Sequence, residues 1–165
     1  MIRVLTVMMA ALLPVATSGA ECTLENARYN QPDSGWTLQF NPVPVDSAPN
    51  QIAAFELDMP ASRLTLVGGI FVPNGFGSPL YRVDGPCSQS SGETCGFVAD
   101  DAVAVYANGS DGMAMLDVAE GRAGPAPQQI LLPKLAAGMW YSMYRETEFA
   151  DQLNPTDVFT LVGCD

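Results

Sequence analysis

Apolar and polar residues alternate along several short runs of this chain. In residues 36–40, WTLQF, the tryptophan, leucine and phenylalanine fall on one side and the two polar residues on the other. A period of two is that of a β-strand with one buried face and one wet face. The alternation recurs in residues 53–58, AAFELD, in residues 63–69, RLTLVGG, and in residues 78–85, SPLYRVDG. In the last run, Leu80 is the predicted apolar position and Gly85 the predicted break.

Residues 102–118, AVAVYANGSDGMAMLDV, carry the clearest hairpin pattern of the chain. Two apolar runs flank a centre that contains both Asn-Gly and Asp-Gly. These dipeptides readily adopt the positive φ angles that tight hairpin turns need. The pattern therefore predicts an antiparallel hairpin that turns at residues 108–112.

The last third of the chain fits more than one assignment. Residues 128–133, QQILLP, and residues 157–164, DVFTLVGC, are typical of strands. Between them, a helix would align Leu135, Met139 and Met143 on one face. The residues that a strand would align instead are Trp140, Ser142 and Tyr144. Gly138 and the aromatic cluster favour a short turn followed by a strand, and residues 147–155 are predicted to form one or two helical turns.

Together these runs predict roughly eight short strands with little helix. The expected fold class is all-β and mostly antiparallel, either a β-sandwich or a barrel-like domain. Residues 21–165 are long enough for one domain with a proper core and too short for two of ordinary size. We therefore expect a single β domain over that range.

Residues 1–20 have the order of a secretory signal peptide. One arginine precedes an apolar run over residues 4–13, and a proline and small residues follow, ending at Ala20. The run is shorter than the roughly 20 residues that span a bilayer. We expect cleavage after Ala20 and export to the periplasm or the exterior. Because Glu21 stands where a lipidation signal places a small residue, we expect Cys22 to be unacylated.

The composition is strongly acidic, with 18 acidic residues against 7 lysine and arginine residues and a formal net charge of −11. Nucleic-acid binding depends on a basic stripe that replaces phosphate counterions, which the few scattered bases cannot form. The charge therefore argues against a nucleic-acid partner and against an anionic membrane. No stretch after residue 20 is long and apolar enough for a membrane-spanning helix.

The chain contains no histidine. This excludes Ser-His-Asp and Cys-His catalysis and any zinc site with an imidazole ligand. The glycines of residues 68–77, GGIFVPNGFG, have the wrong spacing for a dinucleotide motif and are typical of a hairpin loop. Lys134 in a predicted turn, the acidic pair Glu146 and Glu148, and the oxygen-rich residues 108–112 all have simpler structural explanations. We therefore assign no catalytic, cofactor-binding or metal-binding residue.

Four cysteines remain to be explained: Cys22, Cys87, Cys95 and Cys164. Their spacing matches neither a zinc site nor a Cys-x-x-Cys redox motif. An even number of cysteines in an exported chain usually pairs. We predict one bridge between Cys87 and Cys95, which closes a short loop rich in glycine and serine, and a second between Cys22 and Cys164.

Two functional hypotheses remain. The first is an exported, non-enzymatic β domain that binds a small molecule, a glycan or a partner protein through exposed aromatic side chains. The candidates for that role are Phe76, Tyr81, Trp140 and Tyr144. The second is a hydrolase that uses carboxylates alone, such as a glycosidase, which would need two acids in one cleft.

Overall fold

The computed structural model describes residues 22–73, 77–88, 92–98, 103–117, 124–141, 145 and 155–164. The predicted signal peptide over residues 1–20 lies outside the described residues. So do the helical turns predicted over residues 147–155, apart from Pro155.

In the described part of the chain there are ten strands and two short helices. The strands are β1 (Ala27–Asn30), β2 (Thr37–Asn41), β3 (Gln51–Met59), β4 (Leu64–Phe71), β5 (Leu80–Pro86), β6 (Thr94–Val98), β7 (Tyr106–Gly109), β8 (Gly112–Met115), β9 (Gln129–Leu131) and β10 (Val158–Cys164). The helices are a 3₁₀ turn over Leu24–Asn26 and α1 (Leu135–Tyr141).

The strands form one antiparallel sheet in the order β6-β5-β4-β3-β2-β1-β10-β9-β7-β8. The sheet curls until the segment before β7 reaches the start of β5. There Val105 N–H donates to Pro79 C=O at 2.8 Å, and Leu80 and Ala104 form an isolated bridge. These contacts give the sheet a barrel-like form. The predicted all-β, mostly antiparallel fold with little helix is confirmed.

The core lies inside the curl of the sheet. In β2 and the residue before it the predicted alternation is observed, since Trp36, Leu38 and Phe40 are all buried. The Phe40 ring contacts Tyr29 edge-on and Phe55 at a tilt, with ring centroids 5.7 and 5.6 Å apart. Aromatic pairs in these arrangements stabilise a core beyond the area they bury. The predicted strand period therefore identifies the inner face correctly.

The hairpin predicted at residues 108–112 is confirmed. Gly109 pairs with Gly112 across a turn made by Ser110 and Asp111, and Gly112 has a φ of 96°.

The predicted break at Gly85 is wrong, because β5 continues to Pro86. Gly85 faces inward, where an added Cβ would lie 2.8 Å from the Phe97 ring. Gly85 is therefore a glycine because a side chain would not fit there, and it does not end the strand.

The strand predicted after residue 134 is also wrong, because residues 135–141 form α1. Leu135 and Met139 are buried one helical turn apart. The Asp157 carboxylate caps the first turn by accepting from Lys134 N–H at 2.8 Å and Ala136 N–H at 3.1 Å. Gly138 packs closely on β6, which explains a glycine that we had interpreted as a turn signal. No helix in the described ranges is long and apolar enough to cross a membrane.

Both predicted disulfide bridges are present. Cys22 pairs with Cys164 across 142 residues, with a Cα–Cα distance of 5.7 Å. Cys87 pairs with Cys95 across 8 residues, with a Cα–Cα distance of 5.0 Å. The short bridge joins the end of β5 to β6, and the long one joins the end of β10 to the chain ahead of β1. The four cysteines therefore have a structural role.

Candidate functional site

A groove of about 450 Å³ lies on the outer face of strands β2 to β5. Its volume is within the range of small-molecule sites. We call it the outer groove; the residues that contribute its floor and charged end are Asn41, Ala54, Glu56, Val67, Gly69 and Asp84. Because alternate strand residues face opposite sides of a sheet, these outward side chains follow from the same period that buries the core.

The floor of the outer groove is made by small residues. Ala54 of β3 lies opposite Gly69 of β4, so these two positions contribute little side-chain volume of their own. A Cβ at Gly69 would lie 2.8 Å from the Gln51 amide nitrogen and 3.0 Å from the Phe71 ring. Glycine therefore lets these two side chains lie across the strand, where they also line the groove.

One wall of the outer groove is the connection between β2 and β3, which contributes Pro42 and Pro44. Backbone hydrogen bonds hold this connection in place. Ser47 N–H donates to Pro44 C=O at 3.1 Å, and Val72 N–H donates to Asn50 C=O at 2.9 Å. Proline also fixes φ, so this wall has few alternative conformations.

The charged end of the outer groove has carboxylates on both sides of Val67. Glu56 of β3 pairs with Val67 of β4, and Val67 pairs with Asp84 of β5. Because neighbouring strands are about 4.8 Å apart, the two acidic residues are separated by roughly 10 Å at their Cα atoms. Arg82 forms an ion pair with Asp84, with Nε and Oδ2 2.7 Å apart. Val67 itself is 54% exposed.

Tyr81, which the sequence places among the candidate exposed aromatics, is buried with a relative exposure of 4%. It faces inward from β5, and its hydroxyl donates to Pro133 C=O at 2.7 Å. Burial raises the pKa of this hydroxyl, and the negative charge of Asp157 raises it further. Tyr81 therefore ties β5 to the segment after β9, and its proposed role in an exposed binding surface is wrong.

Trp140, in contrast, is exposed at 54%, beside Tyr141 at 82%. The Arg145 guanidinium lies 5.9 Å from the centre of the Trp140 ring, within range of a cation–π interaction. This aromatic pair lies at the end of α1, on an element separate from those that line the outer groove. Phe76 and Tyr144 lie outside the described residues.

Two of the other candidates that the sequence offered lie in turns of the described ranges. Lys134 lies in the turn before α1 with a φ of 64°. The oxygen-rich residues 108–112 form the hairpin turn, and no cluster of metal-ligating side chains occurs in the ranges that the structure describes. Glu146 and Glu148 lie outside those ranges.

Sequence reasoning missed the residues that line the outer groove. The signal was present, since the predicted strand period turns Glu56 and Val67 away from the core. A valine on a wet face, followed by two consecutive glycines, departs from the usual pattern of an exposed strand. What the sequence could not give is the register, which sets Glu56 and Asp84 on either side of Val67.

Comparison of the chain with protein-family models, with curated proteins and with solved structures finds no match. The candidate function therefore depends on the geometry of the outer groove.

Proposed function

We propose that this protein is an exported, non-enzymatic β domain that binds a ligand in the outer groove. The observation that carries the proposal is the groove itself, an open concavity of about 450 Å³ on the antiparallel sheet. Apolar atoms of Val67, Phe71 and two prolines line it together with a few polar groups. Ligand sites commonly combine an apolar lining with a few well-placed polar groups.

Two features support action outside the cytoplasm. The two disulfide bridges suit an oxidising compartment, where such bonds persist. The first 20 residues have the order of a signal peptide. Intact-mass measurement of the protein recovered from its native compartment should give a chain that begins at Glu21 without a lipid on Cys22. A chain that retains residues 1–20, or a diacyl or triacyl mass, would refute this part of the proposal.

A matched pair of valines allows a test of the binding site. Val67 lies in the outer groove and Val162 lies on the outer face of β10, and they are 54% and 56% exposed. We expect Val67→Trp to fill the groove, and Val162→Trp to leave it open. Both variants would be screened by saturation-transfer NMR against alkylamines, alkanols, carboxylates and short oligosaccharides. Compounds that bind the wild type and Val162→Trp should fail to bind Val67→Trp; equal binding by both variants would refute the proposed site.

A carboxylate-only hydrolase is a second candidate, and the presence of Glu56 and Asp84 in one groove favours it. Glycosidases place two carboxyl groups on either side of the bond that they cleave. Here both acids extend from the same face of one sheet, and Asp84 is in an ion pair with Arg82. That arrangement suits the recognition of charge better than proton donation. Turnover of nitrophenyl glycosides by the wild type, and its loss in Glu56→Gln, would favour the hydrolase instead.

A further inference from the structure

We propose that the ligand of the outer groove is a small organic cation, a protonated amine on an aliphatic body. This inference depends on the proposed binding function and adds the chemical class of the ligand. It follows from the arrangement of charge and apolar surface in the groove, taken with the charge of the whole chain.

The charge of the groove is complementary to a cation. Glu56 and Asp84 are the two acidic residues that line it, and they are on opposite sides of Val67. Asp58, the next outward residue of β3 after Glu56, adds a further carboxylate nearby, where it accepts from the Thr65 hydroxyl at 2.9 Å. An ammonium group above Val67 would be attracted by carboxylates from both neighbouring strands.

Arg82 partly neutralises this charge without filling the groove. Its side chain is 58% exposed, and its Nε contacts Asp84 at 2.7 Å. Arg82 is not among the residues that line the groove. Arg82 therefore competes with a cationic ligand for Asp84, whereas Glu56 supplies the carboxylate on the β3 side.

The remaining surface of the groove suits an aliphatic chain. Val67 and the Phe71 ring, which lies over Gly69 beside the Gln51 amide, form an apolar track that continues from the charged end. Pro42 and Pro44 border this track. A ligand with one charged end and an apolar body would bury its body along the track while its charge stays near solvent. The net charge of −11 would also raise the local concentration of such a cation.

Four probes test separately how the charge and the apolar body of a ligand contribute to binding. They are n-hexylammonium, hexan-1-ol, hexanoate and ammonium chloride. Isothermal titration calorimetry of the disulfide-bonded protein should show the tightest binding for n-hexylammonium, weaker binding for hexan-1-ol and no measurable binding for the other two. Because an exposed ion pair contributes little to affinity, Glu56→Gln should weaken n-hexylammonium binding roughly threefold. By the same reasoning, Arg82→Gln should strengthen it about twofold.

Asp111→Asn is the matched control, because Asp111 is an exposed acid in the hairpin turn outside the groove. It should leave the affinity for n-hexylammonium unchanged. An equal loss in Asp111→Asn and Glu56→Gln would mean a diffuse attraction to an acidic protein and would overturn the proposal.

The failure of the ligand class can be told apart from the failure of the binding function. If hexan-1-ol or hexanoate binds as tightly as n-hexylammonium and Val67→Trp abolishes the binding, the groove is a site but the cationic class is wrong. If none of the four probes binds, the cationic class is overturned. The screen with Val67→Trp and Val162→Trp then decides separately whether the groove binds any ligand.

Discussion

Strands β2 to β5, which form the groove half, and strands β1 and β7 to β10, which form the closing half, are held together differently. In the groove half each strand pairs with the next one along the chain. In the closing half, β1 pairs with β10, so that Ala27 lies opposite Cys164, and β9 lies between β10 and β7. The first arrangement needs only local contacts, whereas the second brings together the two ends of the described chain.

The outer faces of the two halves differ as well. In the groove half, the small residues Ala54 and Gly69 open a groove. In the closing half, larger side chains form a row across β8, β7, β9 and β10. The members of that row are Met115, Tyr106, Leu131 and Val158. The concave surface therefore lies in the half whose strands pair in sequence order. The long-range contacts that complete the curl lie in the closing half.

The largest expected contrast concerns the two disulfide bridges. The long bridge in the closing half spans 142 residues and the short bridge beside the groove half spans 8. In the chain-entropy model, removing the long bridge costs roughly 5 kcal/mol and removing the short one about 2.5 kcal/mol. Urea unfolding of Cys22→Ser/Cys164→Ser and of Cys87→Ser/Cys95→Ser should show this order. Equal losses of unfolding free energy, or a larger loss for the short bridge, would contradict the claim that the closing half depends on contacts between distant segments.

A pair of glycines gives the next contrast. A Cβ at Gly68 of β4 would overlap the Phe55 ring and lie 2.9 Å from the Arg82 carbonyl oxygen. At Gly163 of β10 it would meet nothing within 4 Å. Gly68→Ala should therefore destabilise the protein by about 1–3 kcal/mol through overpacking. Gly163→Ala should be neutral or stabilise it by up to about 1 kcal/mol. Denaturant unfolding measures both, and a tolerated Gly68→Ala would mean that Phe55 is not fixed against β4.

Each half also has one buried tyrosine that reaches the segment around β9. Tyr29 of β1 donates to Pro127 C=O at 3.0 Å, and Tyr81 of β5 donates to Pro133 C=O at 2.7 Å. Replacement of either by phenylalanine should cost about 1 kcal/mol by leaving a carbonyl without its donor. Tyr141→Phe is the control, since Tyr141 is exposed. An equally small effect at all three positions would mean that these hydroxyls do not stabilise the segment around β9.

The same two tyrosines predict a loss of stability at high pH. Burial raises the pKa of both hydroxyls, so the folded state favours their neutral forms. Their contribution to stability is complete below the unfolded pKa of about 10 and falls as the pH rises above it. In ultraviolet titrations, ionisation of these tyrosines should coincide with unfolding. Ionisation of all 5 tyrosines while the near-ultraviolet circular dichroism stays native would contradict this.

The smallest expected effect on stability comes from the two exposed valines. Val67→Lys in the groove half and Val162→Lys in the closing half should each change the free energy of unfolding by less than about 0.5 kcal/mol. Their effects on n-hexylammonium binding should differ, because only Val67→Lys places a cation between Glu56 and Asp84. Equal binding by the two variants would mean that the two outer faces do not differ in function.

The strand period of β2 and the position of the β7–β8 hairpin were predicted well because the information for both is local. Alternation identified Trp36, Leu38 and Phe40 as buried, and Asn-Gly with Asp-Gly located the hairpin. The pairing of Cys22 with Cys164 was also predictable, since only three pairings of four cysteines exist and the short loop favours one of them.

The errors came from residues whose role depends on distant partners. α1 begins where Asp157, more than 20 residues later, caps it, and no local motif announces that contact. Gly85 and Gly138 are glycines because other elements pack against them. Their interpretation as a strand break and a turn signal was therefore wrong. The outer groove depends on the register of three strands, which periodicity alone does not set. Tyr81 was wrongly placed among the exposed aromatics, because the face of β5 on which it lies depends on how β5 pairs with β4.

The central claim is that ligands bind on the outer face of the groove half. The most direct measurement is the mapping of amide chemical-shift changes while n-hexylammonium is added to the isotope-labelled, disulfide-bonded protein. We predict the largest changes at Ala54, Val67 and Gly69, with saturation at a common affinity, and little change at Val162. Changes centred on Trp140 and Tyr141, or spread evenly over the acidic surface, would contradict the account.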